Sequence, residues 1–371
     1  MSYLGENIPK LGFGLMRLPK VEGNVIDREE TKKMIDKFIA AGGTYFDTAY
    51  IYEGSECAAK ECLIERYPRD SFYLATKLAG WDCKDAEEAK QMFYTSLERS
   101  GAGYFDFYLL HSLGGNRTAM YEERGMWDLV KQLKEEGLVK HIGFSFHDTA
   151  DSLEEILKAH PETEFVQLQI NYADWEDDKI QSRRCYEVAR KYNKPVVIME
   201  PVKGGTLAVM PDKIGGPFKK ARPDDSYASW AIRFAASLDG VITVLSGMST
   251  MEQMEDNLKT MKNLGPLTET DRAVFAEVAE NMEKADKIPC TSCEYCVKGC
   301  PQNIKINGIF GAMNKLLVFE NRDAAMGDYA WITSNGGKAS ECIGCGACEA
   351  VCPQELNIVD LLKRCADELE V

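Results

Sequence analysis

Short apolar runs alternate with longer amphipathic stretches between residues 9 and 264 of the chain. Aromatic and β-branched residues fill most of these runs, as strands that are buried on both faces require. The pattern predicts eight strands, which lie at Leu11–Arg17, Thr44–Asp47, Phe72–Lys77, Phe105–His111, His141–Phe146, Phe165–Asn171, Pro195–Glu200 and Val241–Gly247.

The stretches between the runs repeat their apolar residues with the spacing of a helix. In the first stretch, Met34 and Phe38 share one apolar face, and Gly42 follows the last turn, where glycine tolerates the required dihedral angles. The predicted helices lie at Glu29–Ala41, Glu56–Arg66, Ala86–Ser100, Met120–Glu136, Ser152–His160, Lys179–Tyr192, Ser226–Ser237 and Met251–Leu264.

Strands that alternate with helices through short connections predict parallel β/α units. Eight such units favour an α/β fold of the (β/α)8 TIM barrel type over a doubly wound sheet. The one long connection, Lys203–Asp225, is rich in glycine and is a candidate lid over a ligand. We predict a barrel at residues 1–265, a connecting helix at 266–288, and a smaller domain at 289–371.

The composition of the chain is that of an ordinary folded protein. It has 371 residues, of which 45% are hydrophobic and 28% charged, and its net charge of −15 argues against a nucleic-acid partner. No stretch approaches the ~20 consecutive apolar residues of a membrane span, and the N-terminus lacks the apolar core of a signal peptide. We therefore expect a cytoplasmic protein that has no membrane partner.

Eight of the thirteen cysteines form two C-terminal runs with identical spacing, C-x2-C-x2-C-x3-C-P. In a chain of this kind, such runs indicate metal ligands rather than disulfides. Thiolates at this spacing typically surround [4Fe–4S] clusters, and the fourth cysteine of each run usually serves the other cluster. The first cluster is therefore expected on Cys290, Cys293, Cys296 and Cys352, and the second on Cys342, Cys345, Cys348 and Cys300.

Two zinc sites are the alternative interpretation of these cysteines, although zinc more commonly takes paired C-x2-C units. The segment resembles a bacterial two-cluster ferredoxin, from which it departs in the 41 residues between Cys300 and Cys342. We therefore expect this domain to be ferredoxin-like but mainly helical.

A second group of polar residues lies at the ends of successive strands. Asp47, Lys77 and His111 close the second, third and fourth predicted strands, and Tyr52 follows Asp47 by five residues. In a TIM barrel the carboxyl ends of the strands form the catalytic face. There Asp47 would pair with Lys77, whose charge would lower the pKa of the Tyr52 phenol, and His111 would orient a carbonyl oxygen. Taken singly, each residue also has an ordinary structural interpretation, as a turn, surface or core residue.

Residues 9–264 resemble an aldo-keto reductase, whose Asp, Tyr, Lys and His tetrad matches Asp47, Tyr52, Lys77 and His111. The segments Leu11–Arg17 and Tyr108–His111 match as well, and the whole chain resembles the members that carry a C-terminal ferredoxin-like extension. The resemblance implies reduction of a carbonyl compound by NADPH or NADH. It also implies cofactor contacts, with the nicotinamide beside Ser145 and Gln167 and the rest of the cofactor at Met16, Pro201, Gly204, Gly247, Ser249, Gln253 and Asn257.

The sequence departs from the family pattern around the cofactor. NADPH-selective members have basic side chains where this chain has Gly247 and Gln253, and glutamine cannot replace the bidentate bonds of an arginine to a 2′-phosphate. Phe146 replaces the usual asparagine after the serine. A predicted capping box at Ser249–Glu252 would present helix amides that suit a phosphate. Both NADPH and NADH therefore stay open.

Two tryptophans, Trp81 and Trp175, follow the third and sixth predicted strands and are candidates either for a substrate pocket or for packing. His141, His147 and His160 are expected to be structural or exposed, and the five cysteines outside the two runs to be ordinary thiols.

The two halves of the chain imply different electron chemistry, since a nicotinamide delivers a hydride while each cluster carries one electron. The leading hypothesis is an NAD(P)H-dependent oxidoreductase for small carbonyl substrates, whose clusters are structural or exchange electrons with a redox partner such as ferredoxin or flavodoxin. The second is an electron-transfer protein that passes single electrons between a barrel-bound redox ligand and a partner. The third is a non-catalytic redox sensor. The oligomeric state is not predicted.

Overall fold

The computed structural model describes residues 3–370, which divide into two compact units. The first unit contains the residues up to Pro201 together with Ser229–Leu267, and the second contains Val202–Ala228 together with the residues from Thr268 onward.

Eight parallel strands close into a barrel in the first unit, which confirms the predicted (β/α)8 fold. Each strand pairs with the next barrel strand in the chain, and the last pairs with the first, so that Phe13 lies opposite both Ser246 and Phe46. The barrel strands are Leu11–Gly14, Tyr45–Asp47, Tyr73–Leu78, Phe105–Leu113, Val139–Phe146, Phe165–Gln169, Val196–Met199 and Val241–Ser246.

Helices follow most of the strands, as the amphipathic pattern predicts. Asp27 caps the first helix by accepting a hydrogen bond from the Glu30 amide at 3.0 Å. The helices between the first strand and the end of the first unit are Arg28–Ala40, Ser55–Ala59, Ala86–Ser100, Asn116–Glu123, Met126–Glu135, Ala150–Ala159, Ser182–Lys191, Tyr227–Ala236 and Met251–Lys262. Ser55–Ala59 continues into a π-helical turn at Lys60–Ile64.

The structure differs from the sequence-based elements at several places in the first unit. The first strand ends at Gly14, and the remaining residues of the predicted strand form a 3-10 turn at Leu15–Arg17. The predicted helix Met120–Glu136 is instead two helices, because Gly125 adopts a positive φ of 66° that breaks the helical hydrogen bonding. A hairpin of two-residue strands, Lys20–Val21 and Val25–Ile26, was not predicted.

The second unit is mainly helical, as expected for the C-terminal region. Its helices are Asp212–Ala221, Glu269–Lys284, Tyr295–Lys298, Ile306–Phe319, Arg322–Thr333 and Ile358–Leu369. Two of these helices, Ile306–Phe319 and Arg322–Thr333, lie in the segment between the two cysteine runs. A core of aliphatic and aromatic side chains, among them Ile309, Phe310 and Leu362, lies inside this unit.

The candidate lid and the candidate connecting helix pack on each other in this second unit. Arg222 forms an ion pair with Asp271 at 2.9 Å, and the rings of Phe218 and Phe275 lie 5.5 Å apart. Both segments therefore lie in the second compact unit. The lid segment contains the helix Asp212–Ala221, which its glycines had obscured.

Of the two glycines in that helix, Gly215 is required by packing rather than by flexibility. A Cβ atom at Gly215 would lie 2.6 Å from a ring carbon of Tyr227, closer than side chains can approach.

Within residues 3–370, no helix has the length and apolar composition to cross a membrane.

Candidate active site and cysteine cavities

A buried ion pair lies at the carboxyl ends of the second and third barrel strands. Nζ of Lys77 donates to Oδ1 of Asp47 at 2.5 Å and to the carbonyl oxygen of Thr48 at 2.7 Å. Lys77 is fully buried and Asp47 is 3% exposed. A charged lysine at this depth needs a counter-ion, and Asp47 supplies it. The structure thus brings together the two residues that the sequence predicts to pair.

Tyr52 lies over this pair in the loop after the second strand. Nζ of Lys77 is 4.9 Å from the centroid of the Tyr52 ring. The loop is held by its own backbone, since the Tyr52 amide donates to Ala49 at 3.0 Å and the Ser55 amide donates to Tyr52 at 2.9 Å. The backbone at Tyr52 is therefore held by the turn that follows the strand.

The pKa shifts in this cluster follow from burial and from the ion pair. Burial raises the pKa of the Tyr52 phenol, and the charge of Lys77 opposes that rise. Burial also raises the pKa of Asp47, against the effect of Lys77. Burial alone would lower the pKa of Lys77, but Asp47 raises it, so the lysine stays protonated. Lys77 thus acts to lower the pKa of the phenol, as predicted, but the effect of burial is larger and the pKa is raised overall.

His111, at the end of the fourth strand, packs against the same tyrosine. The ring centroids of Tyr52 and His111 are 5.9 Å apart at an angle of 85°. Burial lowers the pKa of His111 well below its usual value, and the charge of Lys77 adds to this, so the imidazole is neutral. Its Nδ1 is buried and has no hydrogen-bond partner among residues 3–370.

The two candidate tryptophans have different surroundings. Trp81 packs on His111 with ring centroids 5.3 Å apart, so it lies beside the tetrad. Trp175 packs instead against Phe234 and Tyr186, at 5.3 Å and 5.8 Å, which supports the packing interpretation for this residue.

Ser145 and Gln167 lie directly opposite each other on the fifth and sixth strands. The Ser145 hydroxyl accepts a hydrogen bond from the amide of Ser112 at 2.7 Å. Gln167 is 2% exposed, and its Oε1 has no hydrogen-bond partner among the described residues. An unsatisfied buried amide oxygen is costly, and a carboxamide NH2 group of a ligand would satisfy it. The pair therefore fits the expected nicotinamide contact.

Three of the cofactor candidates, Ser249, Gln253 and Asn257, lie at or near the start of the helix Met251–Lys262. Thr250 caps this helix by accepting from the Gln253 amide at 3.3 Å, one residue later than the predicted capping box. The Gln253 side chain accepts from the Ser249 amide at 2.7 Å. Asn257 is buried and donates to the Ser246 hydroxyl at 2.9 Å. The Gln253 side chain is thus engaged in holding the turn.

Sequence reasoning missed one basic residue in this region, Arg17. Its stem packs over Gly247, where a Cβ atom would lie 3.4 Å from Arg17 Cβ, and its carbonyl oxygen accepts from the Ser249 hydroxyl at 2.6 Å. The neighbouring Met16 is 57% exposed. The pairing of the first and last strands would have indicated this proximity, because it brings the loops after them together.

The two remaining cofactor candidates follow the seventh strand. Pro201 is buried at the end of the first unit, after Glu200, which has a positive φ of 53°. Gly204 lies in the second unit, in the turn Lys203–Ala208, and has a positive φ of 64° that favours glycine.

Two cavities lie in the second unit, and four cysteines line each of them. The first set is Cys290, Cys293, Cys296 and Cys352, and the second is Cys300, Cys342, Cys345 and Cys348. Each cavity thus combines three cysteines of one run with the fourth cysteine of the other, which is the grouping expected from the spacing. Cys293 and Cys345 are exposed.

The other histidines make contacts away from the tetrad. His141 Nδ1 lies 3.0 Å from Glu164, and His160 stacks on Trp127 with a centroid distance of 3.7 Å. His147 is exposed.

Comparisons with known proteins identify both parts of the chain. Residues 10–280 match the model of the aldo/keto reductase family, and residues 289–357 match the 4Fe-4S dicluster domain. Among curated proteins, the aldo-keto reductase str7 of Strobilurus tenacellus is 30% identical over 230 residues, which cover 59% of this chain and 62% of that protein. An aldo-keto reductase of Mycolicibacterium smegmatis is 30% identical over 138 residues, covering 37% and 44%. The chain therefore spans less than two thirds of the length of these relatives.

Solved structures share the barrel fold. The holo form of the aldo-keto reductase AKR11C1 from Bacillus halodurans has a TM-score of 0.60 at 22% identity, covering 75% of this chain and 95% of that one. An aldo-keto reductase from Klebsiella pneumoniae in complex with NADPH has a TM-score of 0.58 at 20% identity, covering 73% and 91%. The chain belongs to the aldo/keto reductase family and carries a 4Fe-4S dicluster domain at its C-terminal end.

Proposed function

We propose that the barrel reduces a small aldehyde or ketone with a nicotinamide cofactor, and that Tyr52 is the general acid. The observation that carries this proposal is the fully buried Lys77, paired with Asp47 beneath the Tyr52 ring, with the neutral His111 against the same ring. A family member without this chemistry would have little reason to bury a charged pair at the mouth of its barrel. When bound, the nicotinamide supplies the hydride.

The four side chains then have distinct tasks. Tyr52 holds the proton that the carbonyl oxygen takes up as its negative charge develops. Lys77 stabilises the phenolate that this transfer leaves, because its charge opposes the burial that raises the phenol pKa. Asp47 keeps Lys77 charged and in place. His111, neutral because its pKa is lowered, donates a hydrogen bond that orients the carbonyl oxygen.

Ser145, Gln167 and the residues around the last helix of the first unit would hold the cofactor. The unsatisfied Oε1 of Gln167 supports a carboxamide there. Arg17 supports NADPH over NADH, because its guanidinium supplies near Gly247 the positive charge that Gln253 lacks. The Klebsiella pneumoniae relative of the same fold is also an NADPH complex. Met16, Pro201, Ser249 and Asn257 complete the proposed contacts within the first unit.

The two cysteine cavities are proposed to hold two [4Fe–4S] clusters with crossed ligands. Among residues 3–370, no three His, Cys, Asp or Glu side chains converge on the position of one metal ion. Four thiols, however, line each of the two cavities. Four thiolates spaced around a volume suit a cubane better than a zinc ion, whose sulfur ligands lie at ~2.3 Å from the metal. The clusters carry single electrons when bound. A reducing compartment such as the cytoplasm would suit them.

A second candidate function, electron transfer to a partner protein, is favoured by the exposure of Cys293 and Cys345. A cluster ligand at the surface would allow a redox protein such as ferredoxin or flavodoxin to exchange single electrons there. In this case the clusters would take part in turnover rather than only in folding.

The test uses full-length protein purified without oxygen. We expect about eight iron atoms per chain, and oxidation of NADPH on addition of 4-methylbenzaldehyde. Stoichiometric zinc with little iron would overturn the cluster assignment. Turnover only with a one-electron donor such as reduced methyl viologen would favour the electron-transfer function. No turnover with either donor would favour the non-catalytic sensor.

A further inference from the structure

Arg117 lies beside the tetrad, in the segment that follows His111. Its guanidinium carbon is 4.4 Å from the centroid of the Trp81 ring, and Trp81 packs on His111 with centroids 5.3 Å apart. Nη1 of Arg117 donates to the Ser112 hydroxyl at 2.7 Å, and the Ser112 amide donates to Ser145 at 2.7 Å. Two residues that contact the proposed catalytic and nicotinamide groups therefore hold the arginine in place.

Among the described residues, Arg117 has no counter-ion. It is exposed, and no carboxylate of residues 3–370 forms an ion pair with it. Arg99 makes a similar stacking contact, 4.3 Å from the Tyr50 ring, but it also pairs with Glu56 at 3.6 Å. The Asp148 carboxylate, which lies against the same turn, accepts instead from the Gly115 amide at 2.7 Å.

The positive charge of Arg117 is felt at the proposed reaction centre. Burial lowers the pKa of His111, and the charges of Lys77 and Arg117 add to that effect. An unpaired cation so placed favours a negatively charged ligand in the space next to the tetrad.

We propose that Arg117 binds a carboxylate on the substrate, so that the preferred substrates are aldehydes or ketones that carry a carboxylate. This inference rests on the proposed reductase function. The guanidinium lies over the Trp81 ring, and a guanidinium carries its five N–H donors in its own plane. Ser112 occupies one N–H donor, and the others suit a bidentate contact with a carboxylate.

The distances limit the size of the substrate. Taken together, the two stacking contacts place the guanidinium within about 10 Å of the His111 ring. A hydrogen bond of ~2.8 Å at each end leaves room for a few carbons, or one benzene ring, between the carbonyl group and the carboxylate. A small acidic aldehyde or oxo acid therefore fits, whereas a long chain would have to fold.

The test compares two aldehydes of similar shape, 4-carboxybenzaldehyde and 4-methylbenzaldehyde, in full-length protein with NADPH. We expect the wild type to prefer the acid. Arg117→Gln should lower kcat/KM for the acid about 10- to 100-fold, mainly through KM, and leave the methyl compound within about twofold. Arg117→Lys should recover part of the loss. Arg184→Gln, which removes an exposed arginine paired with Asp178, is the matched control and should change neither substrate.

Three results would overturn the inference. They are equal kcat/KM for the two aldehydes in the wild type, an equal loss for both in Arg117→Gln, and a raised Kd for NADPH in that variant, which would assign the arginine to a cofactor phosphate. Absence of turnover with both aldehydes would instead overturn the proposed function. In that case, calorimetric binding of 4-carboxybenzaldehyde tests the carboxylate site independently of turnover. Weaker binding by Arg117→Gln than by the wild type supports the site, and equal binding overturns it.

Discussion

Replacing Lys77 by methionine would leave Asp47 in the barrel without its cation. Nζ of Lys77 lies 2.5 Å from Oδ1 of Asp47, and neither side chain is more than 5% exposed. The second oxygen, Oδ2, has no hydrogen-bond partner among the described residues. The variant therefore creates an isolated carboxylate in a site that water barely reaches.

The expected cost is large because burial of an unpaired charge is expensive. Removal of one partner of a buried ion pair typically lowers the free energy of unfolding by about 3–5 kcal/mol. Methionine is nearly as large as lysine, so a cavity contributes little. The double variant Asp47→Asn, Lys77→Met removes both charges, and we expect it to regain at least ~2 kcal/mol of the loss.

The assay is urea unfolding of anaerobic full-length protein, followed by the change in tryptophan fluorescence. Four of the five tryptophans belong to the first unit, so this signal reports mainly on that unit. Carbonyl reduction is measured on the same samples. We expect both variants to be inactive in carbonyl reduction. In both of them Tyr52 has lost the positive charge that opposes the rise of its pKa.

Two results would refute this reasoning. If Lys77→Met unfolded at the same urea concentration as the wild type, the pair would not be the buried unit described above. If the double variant were fully active, Lys77 would have no role in activating Tyr52.

Three further predictions concern other parts of the chain. Burial would raise the pKa of Glu164, but hydrogen bonds from His141 and Lys134 lower it from 4.5 to about 2. The stability it contributes is present above pH 4.5 and is lost as the pH falls toward 2, so the deficit of Glu164→Gln in unfolding free energy should shrink over that range; a constant deficit would contradict this. Cys296→Ser should damage only the first cluster and Cys300→Ser only the second, by electron paramagnetic resonance and iron content; damage to the first cluster in Cys300→Ser would reject the crossed ligands. Arg17→Gln should raise the Kd for NADPH about 10-fold or more and leave that for NADH nearly unchanged; equal effects would remove Arg17 from the 2′-phosphate.

The strand ends and the cysteine runs could be predicted because their signals are local. A buried parallel strand is an apolar run, and a polar residue that closes it, such as Asp47 or Lys77, must lie at one rim of the barrel. The cysteine spacing likewise specifies three ligands within one short segment and requires the fourth from elsewhere.

The roles of Arg17 and Arg117 could not be predicted because they depend on which loops meet. Arg17 is close to Gly247 only because the first and last strands pair. Arg117 lies in the first turn of the helix Asn116–Glu123, six residues after His111, and nothing in the sequence indicates that it stacks on Trp81. The helix Asp212–Ala221 escaped prediction because its glycines are typical of loops, whereas here one of them permits close packing against Tyr227.

The central claim is that Tyr52 donates a proton during carbonyl reduction. The most direct measurement is steady-state reduction of 4-methylbenzaldehyde by Tyr52→Phe, with Tyr50→Phe in the same loop as the matched control and with the Kd for NADPH determined for both. The account predicts that Tyr52→Phe loses ~10²–10⁴-fold in kcat with an unchanged Kd, while Tyr50→Phe stays close to the wild type. Turnover of Tyr52→Phe within about twofold of the wild type would contradict it.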